Sequence, residues 1–322
     1  MAKEKTIQQI LTENDIYRRC LNIASCASES DLMKRSDSTL SLGFKADEGK
    51  TDREKEEALR KALMNAFLPN ENGDTANAFK RLFHEAVNGK GNEVRKMNAL
   101  HSSSLCSFLF FFGVRPQHTM TIDGIEYDNV LFEYENRVFS KSRGPSSMDV
   151  VLTSSKDNAI LFLECKFSEY LINQCQEVAK AYFENQPSKT FYEALDDLYT
   201  KCDFDNSYHI RFHDAYSQGI KQIISHLVGL TNFVNGVFYG TQKSRLPNMD
   251  SPKVFFREVL FKLEGHEEQF KAYKDLSETV ATRLNGKYDS RITWLPLMTY
   301  QDIFKQNKAF LPANVKAFYR LQ

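Results

Sequence analysis

One apolar strand with two charges at its end constrains this chain more than any other segment. Residues 159–167 read AILFLECKF, a run that is apolar on both faces and is typical of a strand in the centre of a sheet. Because side chains alternate along a strand, Glu164 and Lys166 point to one face and Cys165 to the other. Burying two charges is costly unless they are paired or bind an ion. We therefore expect Glu164 and Lys166 to have a function.

A further acidic residue is predicted to join this pair from the preceding strand, MDVVLT. If residues 155–158 form a four-residue hairpin loop, Ser154 lies opposite Ala159, and Asp149 lies opposite Glu164. Residues directly opposite in an antiparallel pair have Cβ atoms about 5 Å apart. Two carboxylates at that separation repel each other unless a cation neutralises them, and Mg²⁺ prefers carboxylate and water oxygens. Asp149 and Glu164 are therefore predicted metal ligands.

These two acids together with Lys166 suit metal-assisted hydrolysis of a phosphodiester. A lysine beside two metal-binding carboxylates can hold the attacking water or hydroxide and the attacked phosphate. The order of residues, an aspartate, a turn, and Glu-Cys-Lys at the end of an apolar strand, resembles the PD-(D/E)xK nuclease superfamily, which has the restriction-endonuclease-like fold.

Flanking segments also resemble this superfamily, in particular some uncharacterised bacterial members. They are GPSSMD at 144–149, Phe132-Glu133 on the strand before, and the helix KQIISH at 221–226. The resemblance implies a central mixed sheet flanked by helices, Mg²⁺ or Mn²⁺ as cofactor, and endonuclease cleavage of nucleic acid, most of all DNA. It also permits a homodimer, because many restriction-type enzymes cut both strands as dimers.

Two pairs of residues are candidates for additional roles at the site. Glu133 and Glu135 share one face of their strand, so either can supply another catalytic carboxylate, and Glu133 matches the resemblance better. Gln222 lies on the helix after the Glu-Cys-Lys strand, where some nucleases carry a glutamine that contacts the site. Gln218, one turn earlier on the same face, is the alternative. The QxxxY form of this feature is not matched, because Gln222 and not a tyrosine follows Gln218 by four.

Basic residues just before Asp149 are the predicted nucleic-acid-binding group. They are Arg137, Lys141 and Arg143, and a loop that carries them beside the site would hold phosphates. Ordinary surface charge is the other interpretation.

Other classes of protein fit the same residues less well. Lys and Arg total 42, as do Asp and Glu, so the formal net charge is +0, and no strong global field draws the chain to nucleic acid. The main alternative is a catalytically inactive nucleic-acid-binding or assembly protein on the same fold, in which Glu164 and Lys166 form a structural ion pair. Neutral charge mildly favours this class over a tight nonspecific DNA binder. A serine-type α/β hydrolase is disfavoured because no GxSxG motif is present.

The overall pattern predicts a mixed α/β or α+β protein with two regions. Residues 1–100 are expected to be a mainly helical extension, with helices at 52–67 and 76–87, and residues 101–322 to form the nuclease-like core. After Phe167 the chain is expected to be helical, including a helix at 215–234. VNGVFYG (234–240) and KVFFREVLF (253–261) are predicted strands.

The chain is also expected to be soluble, cytoplasmic and free of membrane partners. The longest apolar run, at 105–114, is too short to cross a bilayer, and the N-terminal residues lack an apolar signal region. The six cysteines contain no CxxC pair, so reduced thiols are expected.

Overall fold

The fold is that of a computed structural model, which describes residues 32–34, 42–44, 51–69, 73–87, 93–98, 102–139, 144–171, 175–186, 188–213, 220–285 and 289–321. The helices are α1 (Asp52–Phe67), α2 (Asp74–Val87), α3 (Glu93–Met97), α4 (Ser103–Phe111), α5 (Ala181–Glu184), α6 (Ser188–Glu193), α7 (Ile220–Val234), α8 (Glu267–Leu284), α9 (Tyr300–Gln306) and α10 (Ala313–Phe318). The strands are β1 (Leu32–Lys34), β2 (Leu42–Phe44), β3 (Met120–Ile122), β4 (Ile125–Tyr127), β5 (Asn129–Asn136), β6 (Ser146–Ser154), β7 (Ala159–Lys166), β8 (Gln176–Ala179), β9 (Tyr199–Asp203), β10 (Ser207–Phe212), β11 (Lys253–Leu260), β12 (Ile292–Trp294) and β13 (Met298–Thr299).

The chain divides into two compact units. One comprises Met1–Glu133 together with Tyr300–Gln322, and the other comprises Tyr134–Thr299. This division differs from the expected boundary near residue 100, because the C-terminal residues join the first unit. The Tyr300 ring, for example, lies 4.5 Å from that of Phe110.

The first unit contains the predicted helices at 52–67 and 76–87, as α1 and α2. Thr51 and Glu54 form a reciprocal capping box at the start of α1, which satisfies N–H groups that have no partner within the helix. The core of this unit is aromatic, and the Phe79 and Phe108 rings are 4.9 Å apart.

The second unit is built on a mixed sheet with the strand order β12-β11-β7-β6-β5, and β13 pairs with β11. β6 runs antiparallel to β7, whereas β11 is parallel to β7, β12 and β13. The boundary between the units falls within β5. The predicted fold class, a mixed α/β protein with a central mixed sheet flanked by helices, is confirmed. All eight residues of β7 are buried, as a strand that is apolar on both faces requires.

The predicted hairpin between β6 and β7 is confirmed in its register. Ser154 pairs with Ala159, and Val150 pairs with Leu163. Continued by one residue, this register places Asp149 opposite Glu164, although the regular pairing ends at Val150.

Two expectations for the second unit are wrong. Residues 176–212, expected to be helical, instead include the antiparallel sheet β8-β10-β9. VNGVFYG at 234–240 is not a strand, because α7 ends at Val234 and the chain then turns through Gly236 and Gly240, which have φ angles of +77° and +51°. The predicted strand at 253–261 is confirmed as β11.

None of the helices in the described ranges combines the length and apolarity that a bilayer-crossing segment needs.

Candidate active site

The predicted site residues lie where β6, β7 and α7 meet. The C-terminal end of β7 carries Glu164 and Lys166, the beginning of β6 carries Asp149, and α7 carries Gln222 near its first turn. All four belong to the unit of residues 134–299. The structure thus brings together four of the five predicted catalytic residues.

Glu164 is the most enclosed member of the site. Its side chain is 1% exposed, and both carboxylate oxygens have partners. Lys166 Nζ donates to Oε1, and the His226 ring contacts Oε2 through Nε2 at 2.6 Å. Burial alone would raise the pKa of Glu164, but the charges of Lys166 and His226 outweigh it and lower the pKa to about 2. Glu164 is therefore an ionised carboxylate inside the protein.

Lys166 is buried between acceptors and is only 7% exposed. Besides Glu164, it donates to Gln222 Oε1 at 2.9 Å. Burial alone would lower the pKa of Lys166, but the carboxylates of Glu164, Glu169 and Asp149 raise it above its ordinary value. Lys166 is therefore an ammonium group at neutral pH, with three acidic residues in its electrostatic environment.

Asp149 is half-buried at the start of β6. Its Oδ2 accepts a hydrogen bond from the backbone N–H of Cys165 at 2.7 Å, which holds the Asp149 carboxylate against the Glu-Cys-Lys segment of β7. The side chain of Cys165 is buried.

Gln222 is the exposed member of the site. Because its amide oxygen reaches buried Lys166, it connects the site to the protein surface. The alternative glutamine, Gln218, lies outside the described residues.

The extra carboxylate on β5, Glu133 or Glu135, stays a prediction. Glu133 is the last residue of the Met1–Glu133 segment of its unit, and its φ of +48° departs from regular strand geometry. Glu135 lies 3.5 Å from Gln242 Nε2, a residue beyond α7. A further acid, Glu169, raises the pKa of Lys166 together with Glu164 and Asp149. It follows β7 by three residues, and its Oε2 accepts hydrogen bonds from the N–H groups of Phe167 and Ser168.

Sequence reasoning missed His226 and Ser146. His226 is 2% exposed and touches Glu164, while its Nδ1 lies 2.6 Å from Ser146 Oγ. The signal was available, because residues four apart share a helix face and His226 follows Gln222 by four.

Of the predicted nucleic-acid-binding residues, only Arg137 is described. Its Nε donates to the carbonyl of Phe238 at 3.1 Å, and its guanidinium lies 5.9 Å from the centre of the Tyr239 ring. Lys141 and Arg143 lie outside the described residues.

The donors at the site fit a magnesium ion in kind. Asp149 and Glu164 supply carboxylate oxygens, and Mg²⁺ is commonly held by one or two carboxylates with water and substrate oxygens as the other ligands. No group of three or more His, Cys, Asp or Glu side chains arranged for a metal occurs in the described part of the chain. A magnesium ion here would therefore have two protein carboxylates as ligands. Lys166 would have to release its hydrogen bond to Glu164 so that one carboxylate oxygen could bind the ion.

No protein-family model, curated protein or solved structure matches this chain.

Proposed function

We propose that this protein is a metal-dependent nuclease that hydrolyses phosphodiester bonds, most of all in DNA. The observation that carries the proposal is a buried Glu164–Lys166 pair beside a second carboxylate, Asp149, with an exposed glutamine at its edge. Buried ionised groups that serve stability alone are rarely worth their desolvation cost, and perturbed pKa values cluster at functional sites.

In this proposal, Asp149 and Glu164 hold Mg²⁺ or Mn²⁺. When bound, the ion would neutralise charge on the attacked phosphate and lower the pKa of a coordinated water. The β6–β7 register supports a shared ion, because its continuation by one residue sets Asp149 opposite Glu164 on the neighbouring strand.

Lys166 positions the attacking water in this proposal. The raised pKa of Lys166 keeps it protonated, so it donates hydrogen bonds to a water or hydroxide oxygen and to a phosphate oxygen. This supports positioning over proton abstraction as its role, since a general base must be deprotonated. Gln222 steadies the ammonium group from the solvent side.

A basic and aromatic surface on the same unit supports nucleic acid as the partner. The sequence between Asp214 and Asp250 contains no acidic residue. Lys243 lies over the Phe238 ring at 5.3 Å, and Arg245 lies over the Tyr134 ring at 5.8 Å. Cations of this kind, on the same unit as the proposed site, are suited to contact phosphates.

The test is cleavage of supercoiled plasmid, linear duplex, single-stranded DNA and RNA by the purified protein with Mg²⁺, Mn²⁺ or EDTA. We expect nicking or linearisation of plasmid with either metal and none with EDTA. Asp149→Asn should abolish it, whereas Asp157→Asn in the β6–β7 loop should not. Cleavage that persists in EDTA or in Asp149→Asn would contradict the proposal.

The second candidate is a catalytically inactive nucleic-acid-binding or assembly protein. The saturation of Glu164 favours it, because Lys166 and His226 already occupy both oxygens. Such a protein would bind DNA with an affinity that depends on salt but is indifferent to EDTA and to Glu164→Gln, and would cleave none of the substrates above.

A further inference from the structure

Three buried side chains from three elements form a hydrogen-bonded chain behind the site. His226 on α7 contacts Glu164 Oε2 through Nε2 at 2.6 Å, and its Nδ1 contacts Ser146 Oγ at 2.6 Å. Ser146 begins β6, and Glu164 lies two residues before the end of β7. All three residues are buried.

The direction of the inner hydrogen bond follows from the ion pair at Glu164. Its Oε1 accepts from the Lys166 ammonium, and a carboxylate in such a pair only accepts hydrogen bonds, so the hydrogen lies on Nε2 of His226. Ser146, bonded to the opposite ring nitrogen, limits rotation of the imidazole. The ring therefore presents a fixed donor to one oxygen of Glu164.

A metal ion and Lys166 compete for one oxygen of Glu164. Lys166 Nζ donates to Oε1, so an ion bound at that oxygen would displace the ammonium group. The hydrogen bond from His226 to Oε2 does not involve Lys166. It can therefore persist when Lys166 turns from Glu164 to a substrate oxygen.

We propose that His226 is a positioning residue that holds Glu164 oriented and partnered while Lys166 engages the substrate, with Ser146 fixing the imidazole. This inference rests on the proposed nuclease function. Outer-shell partners of this kind typically change metal affinity or activity by about 10- to 100-fold when they are removed.

The test compares four variants by Mn²⁺ affinity in calorimetry and by kcat and KM for plasmid cleavage. His226→Leu removes the hydrogen-bond donor. His226→Gln keeps an amide donor near the position of Nε2, whereas the shorter side chain of His226→Asn places its amide donor nearer to the position of Nδ1. Ser225→Ala is the control, since the neighbouring Ser225 hydroxyl bonds only within α7, to the Lys221 carbonyl.

We expect His226→Leu and His226→Asn to weaken Mn²⁺ binding and kcat by about 10-fold or more with KM nearly unchanged. His226→Gln should recover most of both values, and Ser225→Ala should match wild type. If His226→Leu does not fold, the contrast between the glutamine and asparagine variants still decides.

Equal behaviour of His226→Gln and His226→Asn, or wild-type affinity and kcat in His226→Leu, would overturn the positioning role while leaving the nuclease function intact. A wild-type protein that neither binds Mn²⁺ nor cleaves would instead refute the proposed function, and the positioning role with it.

Discussion

Two buried glutamates on neighbouring strands show that hydrogen-bonding and charged neighbours determine the pKa of a buried carboxyl group. Glu258 on β11 pairs in register with Glu164 on β7. Glu164 has cationic partners, whereas Glu258 accepts from the hydroxyl groups of Tyr273 and Ser277 on α8. Burial raises the pKa of Glu258, outweighing these hydroxyl groups, and the nearby charge of Glu164 raises it further. Similar burial therefore leads to opposite pKa shifts.

Stability should fall in acid because of Glu164. Its folded-state pKa of about 2 lies below the ordinary glutamate value of 4.5, so its contribution is present above pH 4.5 and is lost as the pH falls towards 2. The loss is of order 3 kcal/mol at most. Denaturant unfolding between pH 2.5 and 6 should show a shallower pH dependence in Glu164→Gln than in wild type. An unchanged slope, matching that of the exposed-site control Asp205→Asn, would refute this assignment.

Glu258 should have the opposite effect on stability. Its folded-state pKa is raised, so its contribution is complete below pH 4.5 and declines as the pH rises through the folded value. Glu258→Gln removes the ionisable group and should flatten this decline in unfolding experiments above pH 4.5. The exposed control Glu264→Gln should keep the wild-type profile. A decline that survives in Glu258→Gln would mean that another group causes it.

Helix α7 is the element that completes the site. It contributes Gln222 and His226 from one face, and it approaches the sheet closely at Gly229. A Cβ atom at Gly229 would lie 2.7 Å from Cβ of Asn136 and 3.8 Å from that of Ser146. The glycine therefore sets how near His226 can come to Glu164.

Gly229→Ala should push α7 away from the sheet. The clash should outweigh the gain in helix propensity and lower the free energy of unfolding by about 1–2 kcal/mol. Plasmid cleavage should fall as well, because Gln222 and His226 move with the helix. Gly144→Ala, where an added Cβ meets nothing within 4 Å, is the matched control. If Gly229→Ala is as stable and as active as wild type, residue 229 does not limit how closely α7 packs on the sheet.

The sequence predicts those helices and strands whose pattern of apolar residues and turn residues lies within one short segment. The β6–β7 hairpin followed from a short loop and two apolar runs, and this register was enough to bring Asp149 and Glu164 together. Sheet β8-β10-β9 could not be read in the same way, because its strands are short and polar, and side chains distant in sequence stabilise it. Strand β8, for example, pairs with β10 across a long stretch of chain, with Ala179 opposite Ser207. The contact of His226 with Ser146 is likewise a product of tertiary packing.

At the scale of the whole molecule, the site and the basic surface belong to the same unit, residues 134–299. Asn232 on α7 donates to the backbone carbonyl of Arg137 at 2.7 Å. The helix that carries His226 therefore also contacts the segment of Arg137, one of the predicted nucleic-acid-binding residues.

Charge reversal on this surface should weaken DNA binding without changing the site. Lys243→Glu combined with Arg245→Glu should raise the Kd for duplex DNA and reduce the slope of log K against log salt by about 2, if each residue contacts one phosphate. The control is Lys271→Glu with Lys274→Glu on α8, which changes the net charge equally. Equal losses in the two double variants would indicate a non-specific charge effect and contradict a docking surface.

The neutral chain has no overall field to attract nucleic acid, so binding and hydrolysis would depend on local groups. The most important of these in the proposed hydrolysis is Lys166. The most direct measurement is the rate of plasmid nicking in Mn²⁺ by Lys166→Met relative to wild type, with Lys253→Met on exposed residue 253 of β11 as the control. We predict at least about 100-fold slower nicking in Lys166→Met and no change in the control. A rate within about threefold of an active wild type, or no nicking by wild type itself, would contradict the account.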